Sequence, residues 1–309
     1  MMRTALLRLS RSAKARDAFT HYKFMQRAAR RFVAGEMLEE ALRVVQDLNH
    51  NRILATLDHL GENVSSEAEA RAACEEYLNI LDSIEQSKVQ SNASLKLTQM
   101  GMDLSSERCY DNVRAIVERA KRYNNFVRID MESSAYTDRT LQLYELLRKD
   151  GFTNVGVVIQ AYLCRSTKDI ERLVEIGANV RLCKGAYQEP ASIAFPQKED
   201  VDANYTKLVE LMLSEKTQQK SAYPALATHD EKLIEWVKRF TRERKISPDK
   251  FEFQMLYGIR RDLQQKLVQD GYRVRVYVSY GTHWYPYFMR RLAERPANVF
   301  FLLKNLVRG

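Results

Sequence analysis

Among 309 residues there are four cysteines, six prolines and eleven glycines. Cys74, Cys109, Cys164 and Cys183 form no C-x-x-C pair and have no histidine close by, so neither a disulfide framework nor a zinc site is expected, and a reducing compartment is. With so little glycine and proline, no low-complexity tract, 45% apolar and 29% charged residues, the chain is not a disordered or fibrous one. It has the makeup of a soluble globular protein with a sizeable core. Long apolar runs are absent: residues 155–159 and 299–303 fall far short of the roughly 20 needed to cross a bilayer. Neither a membrane span nor a secretory signal is expected.

Two further absences narrow the chemistry. A doubly wound dinucleotide fold usually carries a glycine-rich turn after its first strand. Here that position reads Leu57-Asp58-His59-Leu60-Gly61. A metal-dependent hydrolase would want clustered histidines, whereas His59, His229 and His283 stand alone on different segments. No metal is expected.

What is present is charge. The net value of +9 admits an anionic partner without choosing one. Much of it lies near the N-terminus, where Arg3, Arg8, Arg11, Lys14, Arg16, Lys23, Arg27, Arg30 and Arg31 surround Leu6, Leu7, Phe19, Phe24, Met25 and Phe32. This is an amphipathic basic arm, readable either as solvated helices packed on a domain or as a membrane-surface or targeting segment. Elsewhere basic residues interleave with acids and no aromatic platform gathers, so nucleic-acid binding is not expected.

From about residue 51 onward short apolar runs alternate with segments of helical period. The runs are 53–60, 94–100, 127–132, 155–162, 180–187, 224–229, 251–256 and 274–280; the helical stretches are 66–87, 106–123, 138–149, 166–176, 202–215, 232–242 and 260–269. Ser66, Ser106 and Ser166 suit the start of their helices, and Gly151, Gly177 and Gly271 follow the ends of theirs. Eight such alternations predict an α/β fold of the (β/α)8 TIM-type barrel, distorted, with extra N-terminal helices and a candidate ligand-binding helix after the last strand. The expected organisation is a helical arm over residues 1–48 and a catalytic barrel over 49–309.

In such a barrel the side chains at the carboxyl ends of the strands converge on one mouth. Every strand supplies a polar one there: Asp58 and Glu62, Lys96, Asp130 and Glu132, Gln160, Arg181 and Lys184, Thr228 and His229, Gln254, then Tyr277. The helix after the last strand carries Tyr287, Arg290, Arg291 and Glu294 on neighbouring turns, and two adjacent arginines can clamp a carboxylate. Lys184 is the bottom-up rival, a Schiff-base nucleophile of a barrel lyase or aldolase, since a desolvated lysine loses its proton readily.

The strings Leu95-Lys96-Leu97, Ile129-Asp130-Met131-Glu132, Gln160-Ala161-Tyr162, Arg181-Leu182-Cys183-Lys184-Gly185-Ala186-Tyr187, Ala227-Thr228-His229, Phe251-Glu252-Phe253-Gln254 and Tyr287-Phe288-Met289-Arg290-Arg291-Leu292-Ala293-Glu294 resemble the proline dehydrogenase family, in order and one per strand end. The resemblance implies oxidation of L-proline to Δ1-pyrroline-5-carboxylate with a noncovalent FAD across the mouth. Positions matching flavin contacts are Gln160, Arg181, Lys184, Gly185, Ala186, Tyr187, Thr228, His229 and Gln254, with Arg181 near flavin N5. Lys96, Arg290 and Arg291 are implied to hold the substrate carboxylate, Tyr277, Tyr287 and Leu256 to wall the ring, and Asp130 to lie near Lys96. Among these Lys96, Asp130, Arg181, Tyr277, Arg290 and Arg291 are the implied catalytic set, and Glu62 is implied to pair with Arg291 as a gate. Cys183 and Gln188 depart from the commonest form of the string they flank. The stretch 280–286 is similar to short single-function members, for which the resemblance implies quinone as electron acceptor, a cytoplasmic place at the inner face of a membrane (the matrix side if mitochondrial), and docking by the basic arm and residues 300–303.

Overall fold

The structure, a computed structural model, describes residues 29–220 and 222–294. Eight parallel strands close into a ring in chain order: β1 (Leu54–His59), β2 (Ser91–Leu95), β3 (Val127–Ile129), β4 (Val155–Gln160), β5 (Asn179–Cys183), β6 (Tyr223–Ala227), β7 (Glu252–Leu256) and β8 (Val274–Tyr280). Around them run α1 (Leu38–His50), α2 (Glu67–Ser87), α3 (Ser106–Arg122), α4 (Thr137–Lys149), α5 (Ser166–Glu175), α6 (Lys198–Met212), the short α7 (Glu215–Gln219), α8 (Glu231–Glu243), α9 (Arg261–Gln269) and α10 (Trp284–Glu294).

The strand sequences explain the ring. Alternate residues such as Ala55 and Leu57, Ala93 and Leu95, Val127 and Ile129, Val180 and Leu182, or Val274, Val276 and Val278 join the main apolar core beneath the helices. The residues between them point inward and are polar: Thr56 and Asp58, Ser94, Arg128 and Asp130, Arg181, Glu252 and Gln254, Arg275, Tyr277 and Ser279 are the counterparts. Because side chains alternate across a strand, this period-two pattern builds a dry shell outside and a polar column inside. Gly156 serves that column, since a Cβ there would collide with the Arg128 guanidinium and the Asn179 carbonyl.

The second run was expected at 94–100 and the strand occupies Ser91–Leu95. Its first half contains Ser91 and Asn92, which carry no apolar signal, while Met100 and Met102 turn back to bond the carbonyls of Lys96 and Leu97 and so form a tight loop. The runs 127–132, 155–162 and 180–187 likewise continue beyond their strands into mouth loops. Ser66 caps α2 by accepting the Glu69 amide at 3.2 Å. For α3 the cap is Ser105, not Ser106, and accepts from Arg108. Ser166 lies inside the first turn of α5 and donates to the Leu163 carbonyl instead. Gly151, Gly177 and Gly271 all have positive φ beyond their helices.

Two helices break the repeat. The helix after β8 does not return along the outside of the barrel; α1 packs there against β1 and β8. That frees α10 to lie over the mouth, where Trp284, Tyr285, Tyr287, Phe288 and Leu292 cluster with Leu60 and Ile259 from the loops below, with Leu256 at the end of β7 and with Phe32 and Val33. The basic arm before residue 29, residues 300–303 and the side chain of Glu294 lie outside the described residues.

Candidate active site

At the floor of the mouth, one carboxylate organises three strands. Asp130 Oδ1 accepts from Arg181 Nη1 at 2.7 Å and from the Ser94 hydroxyl at 2.7 Å, and its Oδ2 accepts from the Tyr277 hydroxyl at 2.6 Å. Arg181 also donates through Nε to Gln254 and lies with its guanidinium 5.3 Å from the centre of the Tyr277 ring. These bonds cross the ring from β5 to β2, β3 and β7, which fixes the planar guanidinium in one orientation. Burial, then the charges of Asp130 and Asp58, pushes the Tyr277 phenol well above its ordinary range, so it remains a neutral donor.

Beside this floor stands Lys96, buried, with Nζ 2.8 Å from Asp58 and 4.0 Å from Asp130. Burial alone would pull this amine down; Asp58, Asp130 and Glu62 outweigh it and hold the ammonium well above its usual range. Above it, Arg290 on α10 reaches Glu62 in the loop after β1 through two bonds of 3.2 and 2.7 Å. Burial opposes the Arg290 charge, and Glu62 more than restores it. The gate pair expected of Glu62 and Arg291 is therefore formed by Arg290. Successive residues of a helix point about 100° apart, and the register of α10 turns Arg290 to Glu62 while Arg291 lies 5.1 Å from the Tyr287 ring centre. Tyr187, in the loop after β5, has its phenol raised by burial and then by Glu62, which places it on the same side of the mouth.

One flank is hollow. A cavity of about 410 Å³ lies between Tyr162, Lys184, Gly185, Tyr187 and the 188–201 segment. Gly185 has φ +112°, and a Cβ there would fall inside the Tyr162 ring, so only glycine lets this loop pass. At the cavity wall, Lys184 pairs with Asp202 at 2.5 Å and with Asp230 at 2.8 Å. Gln160 donates through Nε2 to the carbonyls of Met131 and Glu132, each at 3.3 Å, and its buried Oε1 finds no partner among the described residues. Across the mouth, His229 Nε2 accepts the Leu256 amide at 2.8 Å, which leaves the ring proton on Nδ1, and Thr228 accepts the Asp230 amide at 3.1 Å.

The structure thus gathers Lys96, Asp130, Arg181, Gln254 and Tyr277 into one network, sets Glu62 and Arg290 over it, and ranges Gln160, Lys184, Gly185 and Tyr187 along one flank. Leu256 and Tyr287 meet in the apolar cluster under α10. Lys96 lies 4.0 Å from Asp130, as expected, but its nearer partner is Asp58 at 2.8 Å, and Asp130 is also bonded by Arg181, Ser94 and Tyr277. Asp58 was legible as a strand-end residue but was not placed in the site. Parity with Thr56 along β1 is the signal that would have aimed it inward. Lys184 does not suit a Schiff base, because its Nζ is taken up by Asp202 and Asp230 and its side chain is 26% exposed, so it is neither free nor desolvated. Among the described residues no cluster of His, Cys, Asp and Glu forms that could hold a metal, and no helix is long and apolar enough to cross a membrane.

Comparison with known proteins gives these strand ends a context. The family model described as proline dehydrogenase matches residues 41–304. Proline dehydrogenase 1 of Bacillus subtilis strain 168 is 43% identical over 308 residues, covering 100% of both chains, and the proline dehydrogenase of Deinococcus radiodurans is 41% identical over 289 residues, covering 92% of each. A crystal structure of proline utilization A from Bdellovibrio bacteriovorus, inactivated by N-propargylglycine, superposes with a TM-score of 0.81 at 27% identity. It covers 91% of this chain and 34% of that one, so this chain spans about a third of the longer protein.

Proposed function

The chain belongs to the proline dehydrogenase family, and on that footing we propose how its mouth carries out the family's FAD-dependent oxidation of L-proline to Δ1-pyrroline-5-carboxylate. The observation that carries the reading is the buried network of Lys96, Asp130, Arg181 and Tyr277 with Arg290 directly above it. It offers cations for one small anion, an aromatic wall for one small ring, and a fixed donor for the flavin.

The residues present fit a flavin. Gln160 Oε1 is a buried acceptor at the end of β4 with no partner among the described residues, the glycine-dependent loop after β5 borders a cavity, and Lys184 lines that cavity with a cation suited to a pyrophosphate. Gln160, Arg181, Lys184, Gly185, Ala186, Tyr187, Thr228, His229 and Gln254 would hold FAD. The chemistry supplied by the bound flavin is acceptance of a hydride at N5.

The chain's own part is binding and orientation. Lys96, Arg290 and Arg291 receive the carboxylate; Tyr277, Tyr287 and Leu256 wall the ring, which sets the carbon next to nitrogen against the flavin. Asp130 keeps Arg181 and Tyr277 in place. The fixed Arg181 guanidinium would stabilise negative charge on a bound flavin. The Glu62–Arg290 pair closes over bound substrate and excludes water. No covalent nucleophile enters.

The test is a visible spectrum of purified protein before and after anaerobic L-proline. An oxidised-flavin spectrum that bleaches is expected; a colourless protein that also ignores added FAD overturns the reading. Electrons then pass to a quinone at the inner face of a membrane, a peripheral docking supported by the basic N-terminal composition. Deleting the residues before Phe32 should abolish quinone reduction and leave dye reduction intact, and unchanged quinone reduction rejects this docking.

A further inference from the structure

We propose that Asp58 is a positioning residue for the substrate carboxylate, holding the Lys96 ammonium away from Asp130 and in place to receive the anion. The inference rests on the reading that Lys96 binds that carboxylate.

Asp58 is fully buried, and both of its oxygens are occupied. Oδ1 takes Lys96 at 2.8 Å and Oδ2 takes the Ser279 hydroxyl at 3.2 Å. The latter follows from register, because β1 and β8 pair Asp58 with Ser279. A carboxylate withdrawn wholly from water is tolerated only when paired in this way, and its removal exposes the partner to the full cost of burial.

The consequence lies in the competing anion. Lys96 Nζ also sits 4.0 Å from Asp130, which Arg181, Ser94 and Tyr277 already claim. Without the charge of Asp58, the ammonium's nearest anion is Asp130. Moving onto it would take the acceptor of the Tyr277 hydroxyl and draw the cation down from the mouth. The groups facing Lys96 are Asp58 and His59 of β1, Glu62 beyond it, Asp130 and Glu132 at the end of β3, Tyr187 after β5 and Tyr277 of β8. Of the carboxylates, Asp58 alone is both fully buried and in contact with the amine. Asp58 is the largest of the charges that offset burial, so without it the ammonium loses its proton at lower pH than in the wild type.

The experiment titrates FAD-loaded wild type, Asp58→Asn, Asp58→Glu, Lys96→Met and the Asp58→Asn/Lys96→Met double variant with tetrahydrofuran-2-carboxylate. This ring carboxylate has no titrating amine, and its binding is followed by the flavin absorbance change from about pH 7 to about pH 10. Wild-type affinity should be flat with pH. Asp58→Asn should bind roughly ten-fold more weakly at the lower limit and lose more as pH rises, while Asp58→Glu recovers part. Lys96→Met should be weak and flat, and the double variant no weaker than Lys96→Met.

Wild-type affinity in Asp58→Asn, or a pH-independent loss that adds to that of Lys96→Met, overturns the proposal. If Asp58→Asn does not fold, Ser279→Ala should show the same signs at smaller size, and unchanged affinity there overturns it. A wild type bleached by L-proline beside a flat, additive Asp58→Asn sinks this inference alone. A wild type that neither bleaches nor binds the ring carboxylate sinks the substrate reading and this inference with it.

Discussion

The polar column inside the barrel has a lower and an upper half, and both bury charge, but they use it differently. Below, Arg128 donates from β3 to the carbonyls of Val157 and Asn179 at 3.1 and 2.7 Å, and Arg275 runs from β8 to Glu252 at 2.8 Å and to the Ala55 carbonyl at 2.7 Å. Each arginine therefore ties its own strand to two others. Burial, with Arg181 above it, pushes Arg128 down to about 9, which still leaves it charged at neutral pH. Burial opposes the Glu252 charge and Arg275 overcomes it. Above, Lys96, Arg181 and Arg290 are each tied to carboxylates at the end of the column proposed to receive the substrate. Charge below closes the ring; charge above is held ready for a ligand.

Substitution should separate the two halves. Arg275→Met leaves Glu252 buried without its partner, for which about 3–5 kcal/mol of stability should be lost, seen as a lower urea midpoint while turnover per folded molecule stays near wild type. Proportional loss of turnover at full folding would erase the distinction. Arg181→Met should do the reverse. Removing a fixed donor to developing charge costs about 10²–10³-fold in turnover, and flavin content and the urea midpoint should change much less. A variant that simply fails to fold would make Arg181 a staple like Arg275.

The same division governs what the sequence reveals. Strand parity and helical period expose the shell, because Ala55, Leu57, Val127 and Ile129 are apolar wherever a helix covers them. Polar residues that interrupt the apolar runs expose the mouth in outline, since Lys96, Asp130, Arg181 and Tyr277 each fall inside one. Which charge meets which is another matter, because it depends on three-dimensional stagger between strands distant in sequence. Asp58 and Lys96 are joined across β1 and β2, and Asp130 and Tyr277 across the ring from β3 to β8. Nothing in local composition ranks Asp58 over Asp130 as the partner of Lys96. The choice between Arg290 and Arg291 depends on the rotation of α10, which is set by its apolar contacts with Leu60, Ile259 and Phe32. The lower staples were invisible for the same reason, with Arg128 needing the space that Gly156 leaves on the next strand.

If the upper half is held ready rather than titrating, the pH profile should belong to the substrate. Lys96 and Tyr277 are both held well above their ordinary ranges, so neither changes protonation between neutral and moderately alkaline pH. Hydride leaves the carbon of a neutral amine, and free proline's amine is protonated at neutral pH. The ratio kcat/KM should therefore rise with pH, approaching ten-fold per unit while the ammonium form dominates. A flat profile would contradict this account. The smallest effect belongs to the gate. Glu62 and Arg290 are each about a quarter exposed, with side-chain accessibilities of 23%, so water weakens their attraction. Glu62→Gln keeps the shape and removes the charge that holds Arg290 over the mouth, and KM for proline should rise roughly two- to five-fold with the urea midpoint unmoved. On the proposal that Arg290 also meets the substrate carboxylate, the freed guanidinium gains an anion as it loses one, which keeps this change below that of Arg181. If Glu62→Gln left both KM and kcat untouched, the pair would be a surface contact and the gate should be dropped.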